Sequence, residues 1–180
     1  MVKEGKAFVG IFIRYFIIIL ISLPGLYFFY VAFKPLTIYP VYFLLSLLFD
    51  VSLQGHTLFI EKIPIDIIGP CIAGSAYSLL FVLNLALPKI NILKRVAMIS
   101  FSFLTFLLIN ILRIFLLSIL YLSGSSWFDF THKLFRYGVS TIFVVFIWFL
   151  EVKILNIKDI PFYSDLKYLY KKSSLKGIKD

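Results

Sequence analysis

Hydrophobic runs long enough to cross a membrane, separated by short polar breaks, set the rhythm of this chain. The first runs from Ile11 to Phe33, carries Arg14 near its start and is interrupted by Pro24 and Gly25. Lys34, Pro35 and Pro40 punctuate a short connection, and a second, shorter run extends from Val41 to about Leu53 with Asp50 near its end. From Gln54 to Pro70 the pattern changes: polar and apolar residues roughly alternate, isoleucine is frequent and two prolines intervene. Alternation with β-branched residues predicts an extended or hairpin segment lying at the membrane interface. A third run, Cys71 to Leu87, opens on small residues (Ala73, Gly74, Ser75, Ala76) and stops at Pro88. After the basic connection of Lys89, Lys94 and Arg95 come a fourth run, Val96 to Leu122, a polar loop from Ser123 to Lys133, and a fifth run, Leu134 to Leu150. No internal repeat or low-complexity segment is present.

The fold class expected is an all-α integral membrane protein, a polytopic bundle of about five to six spans with a short interfacial extended segment before Cys71. Residues 1–160 form its single transmembrane domain and residues 161–180 a basic cytoplasmic tail. Composition agrees. The chain is 61% hydrophobic and 15% charged, with a mean hydropathy of +0.99; soluble domains hold roughly half apolar residues and about a quarter charged ones. The first run is too long for the core of a signal peptide and has no clear cleavage site after it, so it reads as a retained span. A net charge of +9 gathers at the ends of runs and in the tail, where it sets orientation and meets anionic headgroups. No nucleic-acid motif accompanies it. One cysteine excludes an internal disulfide and a cysteine-rich metal site.

Charge also gives orientation. Lys89, Lys94 and Arg95, and the seven lysines that follow Glu151 against three aspartates, mark one face as cytoplasmic. The third run then descends, the fourth returns outward and the fifth descends again. Cys71 opens the third run at the outer face. Arg113, seventeen residues past Val96, lies roughly 26 Å along a crossing of ~30 Å. His132 immediately precedes the fifth run. All three share one depth. The N-terminal half is less orderly: two full early crossings place the N-terminus outside, whereas Lys3, Lys6 and Arg14 favour the inside, and a broken first helix or a re-entrant second run would reconcile them.

Each of the three residues has a bland reading. A lone cysteine is more often a small buried hydrophobe than a nucleophile, but Gly69 and Pro70 place Cys71 at the start of a helix, where partial positive charge favours thiolate. Arg113 could snorkel to headgroups; Asn110, three residues earlier on the same helical face, argues instead for a polar patch turned into the bundle. His132 could be a solvated loop residue, yet imidazole is the usual proton carrier near neutral pH, and Asp129 or Arg136 could tune it. His56, Glu61 and Asp66 read as interfacial and solvated. Two histidines without HExxH spacing argue against zinc.

Gly-Pro-Cys-Ile-Ala-Gly-Ser-Ala-Tyr-Ser around Cys71, Asn-Ile-Leu-Arg-Ile from Asn110 to Ile114, and His132 before the last run resemble, in that order, the archaeosortase/exosortase family, over about Gln54 to Leu150. The resemblance implies a membrane-embedded cysteine transpeptidase of the cell membrane, with its site on the extracytoplasmic face. Its partners would be exported proteins ending in a short motif, one transmembrane helix and a basic cluster, and a lipid or other surface acceptor. Cys71 would be the nucleophile, His132 the general acid/base, and Arg113, oriented by Asn110, the stabiliser of oxyanion or thiolate. No metal or organic cofactor is implied. Two other classes compete: a non-catalytic carrier or assembly factor using Arg113 and Asn110 to bind lipid or solute, and an intramembrane protease that cuts without transfer.

Overall fold

A computed structural model of the chain describes residues 12, 13, 15–17, 19, 25–87, 90–135, 138, 140–155 and 157. Six helices and one small sheet are delimited among them. Helix α1 spans Gly25–Ser46; strands β1 (Val51–Gln54), β2 (Thr57–Ile60) and β3 (Ile63–Asp66) follow; then α2 (Gly69–Ile72), α3 (Gly74–Ala86), α4 (Ile92–Leu122), α5 (Phe128–Leu134) and α6 (Ser140–Ile154). Three helical stretches are long and apolar enough to cross a membrane: Tyr27–Ser46, Gly69–Ala86 and Ile92–Leu122. The protein is a helical membrane protein that also carries a sheet.

Helix α4 shows how the bundle is sorted. Met98, Ser102, Phe106, Asn110, Ile114 and Ser118, every fourth residue, are buried. Leu104, Leu108, Leu112 and Leu116 point outward and are more than half exposed. Leucine outside, with Ser102, Asn110 and Ser118 among the buried residues, is the arrangement expected where lipid is the solvent and helices associate through close packing and polar contacts. An aromatic cluster joins α1, α3 and α4: Phe33 stacks on Tyr77 at 3.6 Å between ring centroids, and Phe103 meets both edge-on. Such pairs contribute roughly 0.5–1.5 kcal/mol each beyond their buried area.

Several sequence expectations need correction. The connection expected at Lys34–Pro40, dividing one run at Phe33 from another at Val41, lies inside a single helix that contains Pro35 and Pro40. Each proline removes one intrahelical donor, and membrane helices tolerate this because packing against neighbouring helices supports the freed groups. The extended segment is a three-stranded antiparallel meander, order β1-β2-β3, which begins at Val51 and so takes the end of the expected second run. The fold is therefore not all-α. Gly55, at φ +65, supplies the left-handed first position of the β1–β2 turn. The β2–β3 turn instead uses Glu61 and Lys62, at φ 49 and 73, where glycine or asparagine is usual. Leu58 and Ile60 of β2 are fully buried beneath the helices, which fixes the register.

Helix α4 begins at Ile92, so Lys94 and Arg95 stand in its first turn. Arg95 donates through Nη1 to the carbonyls of Asn84 and Leu85, at 2.7 Å each, and through Nη2 to that of Leu87 at 2.7 Å. It thereby fills carbonyls orphaned at the end of α3. The polar loop after Leu122 folds partly into α5, so His132 is helical. The fifth apolar segment is helical over Ser140–Ile154. Arg14, Pro24, Lys89, Arg136 and the basic tail lie outside the described residues.

Candidate functional site

The backbone around Cys71 is broken in a way that exposes one carbonyl. Cys71 is the third residue of the single turn α2; its amide donates to the carbonyl of Ile68 at 2.9 Å, and Pro70 occupies an early position where no donor is needed. Ala73 then adopts φ 56, ψ 44, a left-handed conformation that costs an alanine roughly 1–2 kcal/mol. The kink separates α2 from α3, so Cys71 sits on an isolated turn ahead of the kink, not at the mouth of the long helix expected from sequence. With the helix interrupted, the Cys71 carbonyl loses the intrahelical donor it would otherwise receive.

Asn110 and Arg113 replace that donor. Asn110 Nδ2 donates to the Cys71 carbonyl at 2.9 Å, and Arg113 Nη2 donates to the same oxygen at 3.2 Å. The i, i+3 spacing on α4 presents both from one face. Arg113 Nη1 also donates to Ser140 Oγ at 2.8 Å, and Ser140 Oγ donates to the carbonyl of Phe135 at 2.9 Å. One guanidinium thus ties α2, α4 and α6 together. Its charge lies within electrostatic reach of the Cys71 thiol and the Tyr77 hydroxyl. Asn110 does not orient Arg113 through a hydrogen bond of its own; the two meet through the carbonyl they share.

Three buried polar atoms around this junction have no hydrogen-bond partner among the described residues: Asn110 Oδ1, Arg113 Nε and the Tyr77 hydroxyl.

His132 reaches the same place from α5. Its ring stacks on Phe128 at 5.4 Å with 5° between planes, a contact between neighbours on one helical face that limits the ring's rotation. Cys71, Arg113 and His132 line a single cavity of about 270 Å³. Ser118 and Tyr121 of α4, Phe128 and the β3 segment complete its wall. Asp129 makes no hydrogen bond or ion pair with His132, and Arg136 lies outside the described residues. Glu61 is an exposed turn residue of the sheet and His56 lies exposed at the other turn. Asp66 is exposed, as expected, and it also accepts a hydrogen bond from Thr57 and lines the cavity.

Sequence reasoning missed Ser140, Tyr77 and the β3 wall. Ser140 had a signal: it is one of the few polar residues in the last apolar run, six residues past Leu134, where that run begins. Tyr77 had none, being one aromatic among many in a span.

At the opposite end of the helices lies a second polar cluster. Glu151, fully buried, accepts from Ser102 Oγ at 2.6 Å, and Ser102 Oγ accepts from Asn84 Nδ2 at 3.0 Å. This network links α3, α4 and α6 far from the cysteine. Among the described residues no group of three or more His, Cys, Asp or Glu is arranged to hold a metal. Comparison with family models, curated proteins and solved structures finds no match for the chain.

Proposed function

We propose that the protein is a membrane cysteine transpeptidase of archaeosortase/exosortase type, with about five to six spans in the cell membrane and its site on the extracytoplasmic face. The observation that carries the reading is convergence: residues 71, 113 and 132, distant in sequence and drawn from three helices, line one cavity. Thiol, guanidinium and imidazole are the groups acyl transfer needs. The resemblance of the residue order to that family adds the substrate class: exported proteins ending in a motif, a transmembrane helix and a basic cluster.

In this reading the Cys71 thiolate attacks a peptide carbonyl presented in the cavity, and the carbon–sulfur bond forms as a tetrahedral oxyanion develops. His132 gives a proton to the departing amine, the carbon–nitrogen bond breaks and a thioester remains. An amine or hydroxyl on the lipid or surface acceptor, or water, then attacks the thioester; His132 takes its proton and sulfur leaves as thiolate. Arg113 has two tasks. Two of its nitrogens hold the Cys71 carbonyl and Ser140, fixing the sulfur's backbone, while its positive charge favours thiolate and oxyanion in a poorly hydrated setting.

The test is processing of exported proteins in cells that carry the gene or its variants, read by mass spectrometry of new C-termini. Cys71→Ala and Cys71→Ser are expected to abolish processing with the protein still inserted. Arg113→Lys is expected to fail as well, because an ammonium cannot reproduce the planar donor fork. Normal processing by the Cys71 variants would reject the proposal.

A further inference from the structure

We infer that the free edge of β3 is the docking rail for an extended polypeptide segment, which pairs with it as a fourth strand and so leads its scissile bond to Cys71. This deepens the transpeptidase reading and rests on it. Because β3 ends the strand order, one of its edges pairs with β2 and the other is open among the described residues. Antiparallel ladders alternate between residues whose backbone groups face the partner and residues whose groups face away. Ile60 pairs with Ile63 across the two-residue turn, which sets the inward phase, and the amide of Ile67 donates to the His56 carbonyl at 3.1 Å in the same phase. Ile63 and Ile65 therefore spend their backbone groups on β2, and Ile67 gives its amide to His56 just ahead of it.

Pro64 and Asp66 face outward. Proline has no amide to give, so position 64 costs the ladder nothing, which is where a strand proline belongs. The edge presents the Pro64 carbonyl, the Asp66 amide and the Asp66 carbonyl. None of the three hydrogen-bonds to any described residue.

The cavity runs along this edge. Side chains alternate between the two faces of a strand, so a cavity on one face would touch every second residue. Here Pro64, Ile65, Asp66, Ile67 and Ile68 all line it in unbroken sequence, which is the signature of an edge. Pro70 and Cys71 continue the same wall, so the rail ends at the sulfur. An acceptor, a donor and an acceptor in a row on an otherwise apolar wall match the backbone of another strand; an acyl chain would leave all three unpaired. Strand addition draws affinity from main-chain bonds and leaves specificity to pockets for alternate side chains.

The single cysteine makes the test direct, since alkylation of the intact protein in detergent reads Cys71 alone. Three probes are used: iodoacetamide, the peptide reagent acetyl-Ala-Ala-Val chloromethyl ketone, and the same reagent methylated at its internal amide nitrogens. With either ketone the thiolate sulfur bonds to the methylene carbon and chloride leaves. Intact-mass spectrometry follows each rate. The peptide reagent is expected to react with saturation, and methylation to raise its half-saturation concentration about tenfold, the effect of losing one well-made hydrogen bond.

Asp66→Pro removes the outward amide without touching the β2 ladder, and Asp66→Ala loses the same carboxylate while keeping that amide. Half-saturation for Asp66→Pro is expected about tenfold above that of Asp66→Ala, with equal iodoacetamide rates. Equal behaviour of the two ketones, or of the two variants, overturns the proposal. So does a dimer that Asp66→Pro dissociates while the ketones remain indistinguishable, which would give the edge to a second copy of the chain. If iodoacetamide leaves Cys71 unmodified, the nucleophile reading itself fails and the rail with it; if iodoacetamide reacts and the ketones show no preference, only the rail fails.

Discussion

The carbonyl of Cys71 accepts two hydrogen bonds from one neighbouring helix, and a double-mutant cycle on those donors measures how firmly the nucleophile's backbone is held. Asn110→Ala removes a neutral bond of 2.9 Å. Interhelical bonds of this kind in membranes contribute about 0.6 kcal/mol on average and up to ~1.7. Arg113→Met removes the bond to Cys71 at 3.2 Å and that to Ser140 at 2.8 Å; for charged donors each is worth about 1.5–3 kcal/mol in soluble proteins, with the membrane reference state pulling toward the lower end. Either single variant leaves the carbonyl one donor. The double variant removes both side-chain donors from this part-buried carbonyl, and losing the second one costs a further ~1–3 kcal/mol. The two substitutions should therefore be super-additive by at least about 1 kcal/mol, since the remaining effects of each, the space left by Asn110 and the loss at Ser140, cancel in the cycle. Unfolding free energies in mixed micelles titrated with denaturing detergent supply the four corners. Additivity within ~0.3 kcal/mol, the behaviour of independent sites, would refute the claim that both side chains converge on one carbonyl.

Other expected outcomes follow from particular contacts. His132→Ala should slow processing about 10²–10⁴-fold, the usual contribution of a positioned acid/base, with thermal stability in detergent nearly unchanged because the side chain is only half-buried; a loss of stability with full activity would contradict its assignment. Lys62→Gly should stabilise the protein by up to about 1 kcal/mol, since glycine accepts the left-handed turn position at little steric cost; thermal denaturation that shows no gain would count against a strained turn. Ser102→Ala should cost about 1–3 kcal/mol for two interhelical bonds and leave the reactivity of Cys71 untouched, which denaturation and alkylation measured side by side can check.

Depth counting along the apolar runs was enough to bring Cys71, Arg113 and His132 to one level, and the cavity unites them. The counting rests on the constant rise per residue in helices and on the cost of a guanidinium inside a span, which favours a bundle-facing position. The same logic misplaced the break at Lys34–Pro40. In water a lysine and two prolines would end a helix, but α1 continues through them. The alternating segment before Cys71 was legible as extended, yet its three-stranded order depends on turns at Gly55 and at Glu61–Lys62, and the second uses residues that give no turn signal. The most consequential feature left no trace in sequence: the left-handed Ala73, whose kink frees the Cys71 carbonyl for Asn110 and Arg113, looks like any small residue at the head of a span.

One measurement bears most directly on the central claim that Cys71 becomes acylated. Native membranes carrying the protein are quenched in acid during processing, and the protein is examined by intact-mass and peptide-level mass spectrometry. The account expects a thioester on Cys71 that hydroxylamine removes, that carries the C-terminus of an exported protein, and that is absent from Cys71→Ala. Processing that continues with no adduct at Cys71, or with the adduct on another residue, would contradict it.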